Sequence, residues 1–180
     1  MPDVLQWRST GETGKQGMMS NAVGQFWAEF LDANPHIERS TPYQVWYFSD
    51  NSDSARELAE LVTIGRKTAT ASLKTVNEIE PEKAPIDGGY SVVTSFEGEP
   101  LCVLQTTEIR HLPFNEVDAE FAFDEGEGDR TLEDWRQAHW DYFSREAPLY
   151  GLEFDERSVI CCERFRLLFP VSTKVQSPSE

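Results

Sequence analysis

Positive charge is scarce in this chain. Sixteen lysines and arginines stand against 32 aspartates and glutamates, a net charge of −16 over 180 residues. Nonspecific binding to nucleic acid depends on cations that displace counterions from phosphates, so no long nonspecific nucleic acid is expected as a partner. Only the pairs Arg66/Lys67 and Arg164/Arg166 bring cations together. A small substrate of little charge meets less resistance. Cysteine is also rare. Cys102, Cys161 and Cys162 are odd in number and two are adjacent, which excludes a disulfide framework or a spaced zinc site and fits a reducing cytoplasm. No apolar run approaches the roughly 20 residues that span a bilayer. The first twenty residues, "MPDVLQWRSTGETGKQGMMS", lack the apolar middle of a secretory signal. A cytoplasmic protein without a membrane partner is expected.

What the chain does have is aromatic bulk: 11 Phe, 5 Trp and 5 Tyr, enough to build a core without staples. The segment 1–19 is polar and without periodicity and reads as a disordered leader, as does the tail 170–180. A helix is expected from Ser20 or Asn21, with Val23, Phe26, Trp27, Phe30 and Leu31 at helical spacing, ending at Asn34-Pro35. "YQVWYF" reads as a short strand. "DNSDSARELAELVTIG" reads as a second helix, with Ser52 as N-cap and Gly65 in the left-handed position after its end. A strand over 67–73 and a Pro- and acid-rich loop follow. "YSVVTSF-EGEP-LCVLQTTEIR" predicts a hairpin, "NEVDAEFAF" a short helix, and Thr131 caps another helix. "SVICCERFRLLF", 158–169, is apolar on both faces and reads as a central strand. This mixture predicts an α+β domain on a small, mainly antiparallel barrel.

Three groups of residues could carry chemistry. In "GRKTATAS" a lysine stands at a helix exit, followed by alternating hydroxyls. Thr68, Thr70 and Ser72 share one face of an ideal strand and Lys67 the other, so Lys67 reaches Thr70 only if the chain is still turning at 65–67. In "DEGEGD", Glu125, Glu127 and Asp129 are spaced by glycines. Such crowded carboxylates raise one another's pKa and invite a proton or a metal, although a solvated turn before a helix is the plainer reading. His139, between Trp135 and Trp140, reads more readily as a core histidine than as a ligand. Trp46 and Tyr47 could stack a base.

Taken together, "VWYFSD", "ELAELVTIGRKTATASL", "GGYSVVTSFEGEPLCVLQTTEI", "PFNEVDAEFAFDEGEGDRTLEDWRQAHWDYF" and "VICCERFRLL" resemble the ASCH family in its longer bacterial type, over a domain of residues 20–169. The resemblance implies a PUA-like β-barrel with flanking helices and a cleft along G-x-K-x-x-T, and it suggests RNA or a nucleoside as partner. A shorter bacterial branch hydrolyses the acetyl amide of 4-acetylcytidine with a lysine, a threonine and a glutamate. These fall here on Lys67, on Thr70 and on either Glu125 or Glu127, with Arg66, Ser72, Trp46 and Tyr47 expected around the substrate. In that reading Thr70 attacks the carbonyl, Lys67 takes its proton and a glutamate protonates the leaving amine, without any cofactor. For Lys67 to be a base its pKa must fall by about three units from its free value. Metal-dependent RNA cleavage, with Mg²⁺ or Mn²⁺ on the acidic loop, and a binding module without catalysis are the alternatives.

Overall fold

A computed structural model describes residues 15–170 of the chain. Helix α1, Lys15–Ala33, begins earlier than the sequence suggested. The rest of the expected leader, 1–14, and the tail 171–180 lie outside the described residues. Its apolar stripe seats Val23, Trp27, Phe30 and Leu31 against Val92 and Val103 of the sheet. Strands β1 (Tyr43–Trp46), β2 (Ala69–Leu73), β3 (Tyr90–Thr94), β4 (Pro100–Pro113) and β5 (Val159–Phe169) form one sheet in the order β1-β3-β4-β5-β2. Only β1 and β3 run parallel; the other three pairings are antiparallel. The predicted hairpin is β3–β4, and β5 is internal as its apolar faces required.

The fold is thus the expected PUA-like α+β type, but the sheet is open. Among the described residues no pairing joins β1 to β2. Strands of four and five residues carry few backbone groups with which to close a ring. Short edges of this kind also limit pairing with other chains.

Two layers of helix cover the sheet. On one face α2, Ser52–Thr63, buries Ala59 and Val62 against Cys102, Leu104 and Phe165. On the other, α4 (Ala119–Glu125) and α5 (Leu132–Glu146) pack Phe121, Trp135 and Phe143 on Ala69, Leu73, Ile160 and Cys162. Burial of a large apolar side chain such as Phe121 or Phe143 contributes about 1.5–3 kcal/mol. The cap of α2 is Asn51, whose side chain accepts from the Ser54 N–H, and Ser52 is the first helical residue. A short helix α3, Lys74–Ile79, stands where a loop was expected. It has no side-chain cap, so no sequence signal announced it. The cysteines are free and buried. Burial pushes Cys161 up to about 11 and Cys102 and Cys162 up to about 12, which removes them as nucleophiles.

Candidate active site

Lys67 owes its orientation to the end of α2. Gly65 takes φ +75°, and its N–H bonds to the Val62 carbonyl while Arg66 N–H bonds to Leu61, the paired bonds of a Schellman motif. Lys67 N–H also reaches Leu61 O, at 3.0 Å, so the chain is still turning at Lys67 and joins β2 only at Ala69. Strand parity therefore does not govern Lys67. Its side chain turns inward until only 1% remains exposed.

The acidic loop after α4 is strapped to this turn through the backbone. Thr68 N–H donates to Asp124 O at 2.8 Å and the Thr68 hydroxyl to the same oxygen at 3.1 Å. The Arg66 guanidinium donates to the carbonyls of Gly126 (2.7 Å) and Gly128 (2.6 Å), and Arg164 of β5 holds Asp124 at 2.8 Å. The approach is so close that a Cβ on Gly126 would lie 2.2 Å from Arg66 O, and Gly126 itself stands at φ +72°. Gly126→Ala therefore combines left-handed strain of about 1–2 kcal/mol with overpacking of about 1–3 kcal/mol. We expect urea denaturation to register about 3 kcal/mol or more of lost stability from the two together. Gly151→Ala, at φ +69° with open space around it, should lose only the strain. Equal losses at the two positions would refute the close approach as the reason for Gly126.

The strap delivers two carboxylates to one ammonium. Lys67 Nζ lies 3.4 Å from Glu125 Oε2 and 2.5 Å from Glu127 Oε1. Burial opposes the charge on Lys67, but the two carboxylates outweigh it and hold its pKa above that of a free lysine. A neutral lysine base is therefore not what this geometry favours: such a base requires a fall in pKa, and the shift runs the other way because two carboxylates accompany the desolvation. Glu125 is equally buried. Lys67 and His139 overcome that burial and bring its pKa down to about 2. Glu127 is different. Burial and the neighbouring Glu125 charge, against the pull of Lys67, leave its pKa raised, and its side chain is 31% exposed. Of the two glutamates, Glu127 is the more exposed, and its pKa is raised where that of Glu125 is lowered.

His139, read from sequence as a core group, completes the cluster. Its ring stacks on Trp135 with centroids 4.2 Å apart. Nδ1 faces Trp135 O at 2.9 Å and Nε2 faces Glu125 Oε2 at 3.3 Å. With acceptors at both nitrogens, the doubly protonated ring satisfies both. Burial works against that charge, but Glu125 and Glu127 prevail and the pKa is raised. Helical spacing from Trp135 was visible in the sequence; the carboxylate partner, from another segment, was not.

These groups border a cleft of about 310 Å³ lined by Phe48, Thr70, Glu125, Glu127, His139 and Arg145, among others. Thr70 and both glutamates thus border one concavity, whereas Lys67, expected to line it with them, is closed off behind the carboxylates with 1% of its side chain exposed. The other expected contacts lie elsewhere. Arg66 is engaged by the loop carbonyls, Ser72 accepts from Asn77 at 2.8 Å, Trp46 packs on Phe48 and Tyr47 on Phe96. Asp129 serves the start of α5, accepting from the Thr131 N–H and hydroxyl. A larger groove, about 990 Å³, borders Phe114, Arg136, Trp140 and Glu156. Its charged side chains are exposed, and exposed charges lack the burial that tunes pKa values at a reactive centre. Among the described residues no group of three or more His, Cys, Asp and Glu could hold a metal ion.

Comparison with known proteins agrees with this architecture. Two solved structures align over 82% of the chain with a TM-score of 0.74. One is an ASCH domain from Lactobacillus crispatus JV V101, 31% identical and covered over 94% of its length. The other is a protein from Enterococcus faecalis V583, 33% identical and covered over 88%. No curated protein matches the chain. The family model described as ASCH domain matches residues 44–168, the span that holds Lys67, Thr70, both glutamates and His139, and the chain belongs to the ASCH domain family.

Proposed function

We propose that this ASCH protein binds a modified nucleoside and hydrolyses an amide on it, as in the removal of an acetyl group from 4-acetylcytidine. The observation that carries the reading is that a hydroxyl, Thr70, and a carboxyl with a raised pKa, Glu127, open onto one cleft. Acyl transfer needs those two groups together, a nucleophile for the carbonyl and an acid for the departing amine. Lys67 acts as a permanent positive charge behind the carboxylates. It keeps Glu125 ionised and holds the Glu127 carboxyl in place.

The charge around the cleft favours a nucleoside over an RNA strand. Asp50, Glu57, Glu125 and Glu127 face Arg145 and His139, and Arg145 is drawn to Asp50 at 3.7 Å. A phosphate backbone finds little free positive charge there, whereas a neutral base loses nothing by entering. The geometry also disfavours Mg²⁺ or Mn²⁺ on the acidic loop, because the Lys67 ammonium already occupies the position that bridges Glu125 and Glu127.

The test is incubation with 4-acetylcytidine and, separately, with RNA, each with and without chelator. Release of cytidine and acetate that is indifferent to chelator is the expected result. Strand scission that stops with chelator would select a metal-dependent ribonuclease instead, and binding without any product would leave a recognition module.

A further inference from the structure

If Lys67 stays protonated, the Thr70 hydroxyl needs another base. The sheet supplies one. In the β2–β5 pairing Thr70 stands directly opposite Glu163, and opposed residues of an antiparallel pair carry their Cβ atoms about 4.5–5.5 Å apart on the same face. Glu163 is 8% exposed. One of its oxygens, Oε1, accepts from the Thr106 hydroxyl of β4 at 2.6 Å, which fixes the carboxyl across the sheet and leaves Oε2 for a second donor. We propose that Glu163 is the general base that activates Thr70, a role that rests on the amide-hydrolysis reading above.

The surroundings suit that role. Around Glu163, β4 contributes Thr106, β2 Thr70 and β5 the Cys161 thiol, while α2 covers this face with the apolar Ala59 and Val62. Lys67 is the charged group that bears on it. Burial raises the Glu163 pKa to about 7, against the opposing pull of Thr106 and Lys67. A base poised near the working pH combines a populated carboxylate with real proton affinity.

The proton inventory closes. Glu163 takes the hydroxyl proton as Thr70 Oγ bonds to the carbonyl carbon. The C–N bond then breaks and Glu127 gives its proton to the departing amine, which leaves an ester on Thr70. Water attacks that ester while the Glu127 carboxylate takes its proton. The ester C–O bond breaks as Glu163 returns its proton to Thr70 Oγ. The products are an amine and a carboxylic acid, and both glutamates recover their starting states.

The experiment uses two acyl donors, so that the base and the substrate can fail separately. Wild-type protein and Glu163→Gln are incubated with p-nitrophenyl acetate, and acetyl-Thr70 is followed by intact mass and peptide mapping. Cytidine release from 4-acetylcytidine is measured in parallel across mildly acid to alkaline pH. We expect a bell-shaped wild-type profile whose rising limb, near pH 7, reports ionisation of Glu163 and whose falling limb reports loss of the proton that Glu127 must donate. Glu163→Gln should remove the rise and lower the maximal rate about 100-fold or more, with KM little changed. Thr106→Val takes away the bond that favours the carboxylate, so its rise should move to higher pH while the protein stays folded by circular dichroism. That variant keeps the proposal testable even if Glu163→Gln unfolds. Acetylation of Thr70 that depends on Glu163, without turnover of 4-acetylcytidine, would support the base and remove the substrate. Acetylation indifferent to Glu163 and Thr106, or none on Thr70 in the wild type, would overturn the proposal.

Discussion

Lys67→Met is expected to cost about 3–5 kcal/mol of stability at neutral pH, the usual penalty for stripping one partner from a buried ion pair. Methionine fills much the same volume, so the loss is electrostatic: Glu125, with 1% of its side chain exposed, is left as an anion with only His139 to answer it. The pH dependence separates this from a packing defect. In the native protein Glu125 has its pKa held down to about 2, against 4.5 when free. Its stabilising contribution is therefore complete above 4.5 and lost as pH falls through the folded value. Without Lys67 burial dominates and the folded pKa rises above the free one, so the variant should regain stability as the medium is acidified while the parent does not. Urea denaturation of both proteins at neutral and mildly acid pH measures this directly. A variant as stable as the parent at neutral pH would mean that the ammonium is not what keeps Glu125 charged.

Thr70→Val should lower kcat by at least about a thousandfold, because removing a nucleophile leaves only binding and electrostatics to speed the reaction. Valine is nearly isosteric, and β-branched residues suit a strand, so the melting temperature should move by only about 2 °C. Thr70→Ser keeps the hydroxyl and should retain measurable turnover. The comparison is made on 4-acetylcytidine with steady-state kinetics and a thermal melt. Robust turnover by the valine variant would hand the attack to water and reduce Thr70 to a wall of the cleft.

The sequence was most legible where chemistry is local. Alternation and apolar spacing gave β5 as an internal strand and the β3–β4 hairpin, and Gly65 as the left-handed exit of α2 was readable from one residue. The resemblance to ASCH sequences brought Lys67, Thr70 and the acidic loop into one site, although Lys67 and Glu125 lie 58 residues apart. The protonation of Lys67 was not legible. Sequence alone leaves both states of a buried lysine open, and only the arrival of two carboxylates at its Nζ sets the direction. Glu163 escaped notice for another reason. It sits in an apolar strand, and its meaning depends on the register of β2 against β5, which no local pattern encodes. Nor could the sequence place Arg66, Trp46 and Tyr47, because cations and aromatics near a substrate look the same in sequence as those engaged with carbonyls and with other rings.

The strand order carries a consequence for biosynthesis. Among the described residues β2, with Thr70, has β5 as its single sheet neighbour, and β5 is the last element of the fold. While the chain is being made, β1, β3 and β4 can pair as soon as they emerge, but β2 must wait until residues 159–169 clear the ribosome. Until then the fourteen-residue β4 presents a long unpaired edge, the kind of surface that recruits other chains. Chaperone demand should accordingly fall on the nascent chain between the release of β4 and that of β5. A ribosome stalled within that interval would display a folded hairpin with an open flank, with Thr70 and Glu163 not yet opposed across the β2–β5 pairing.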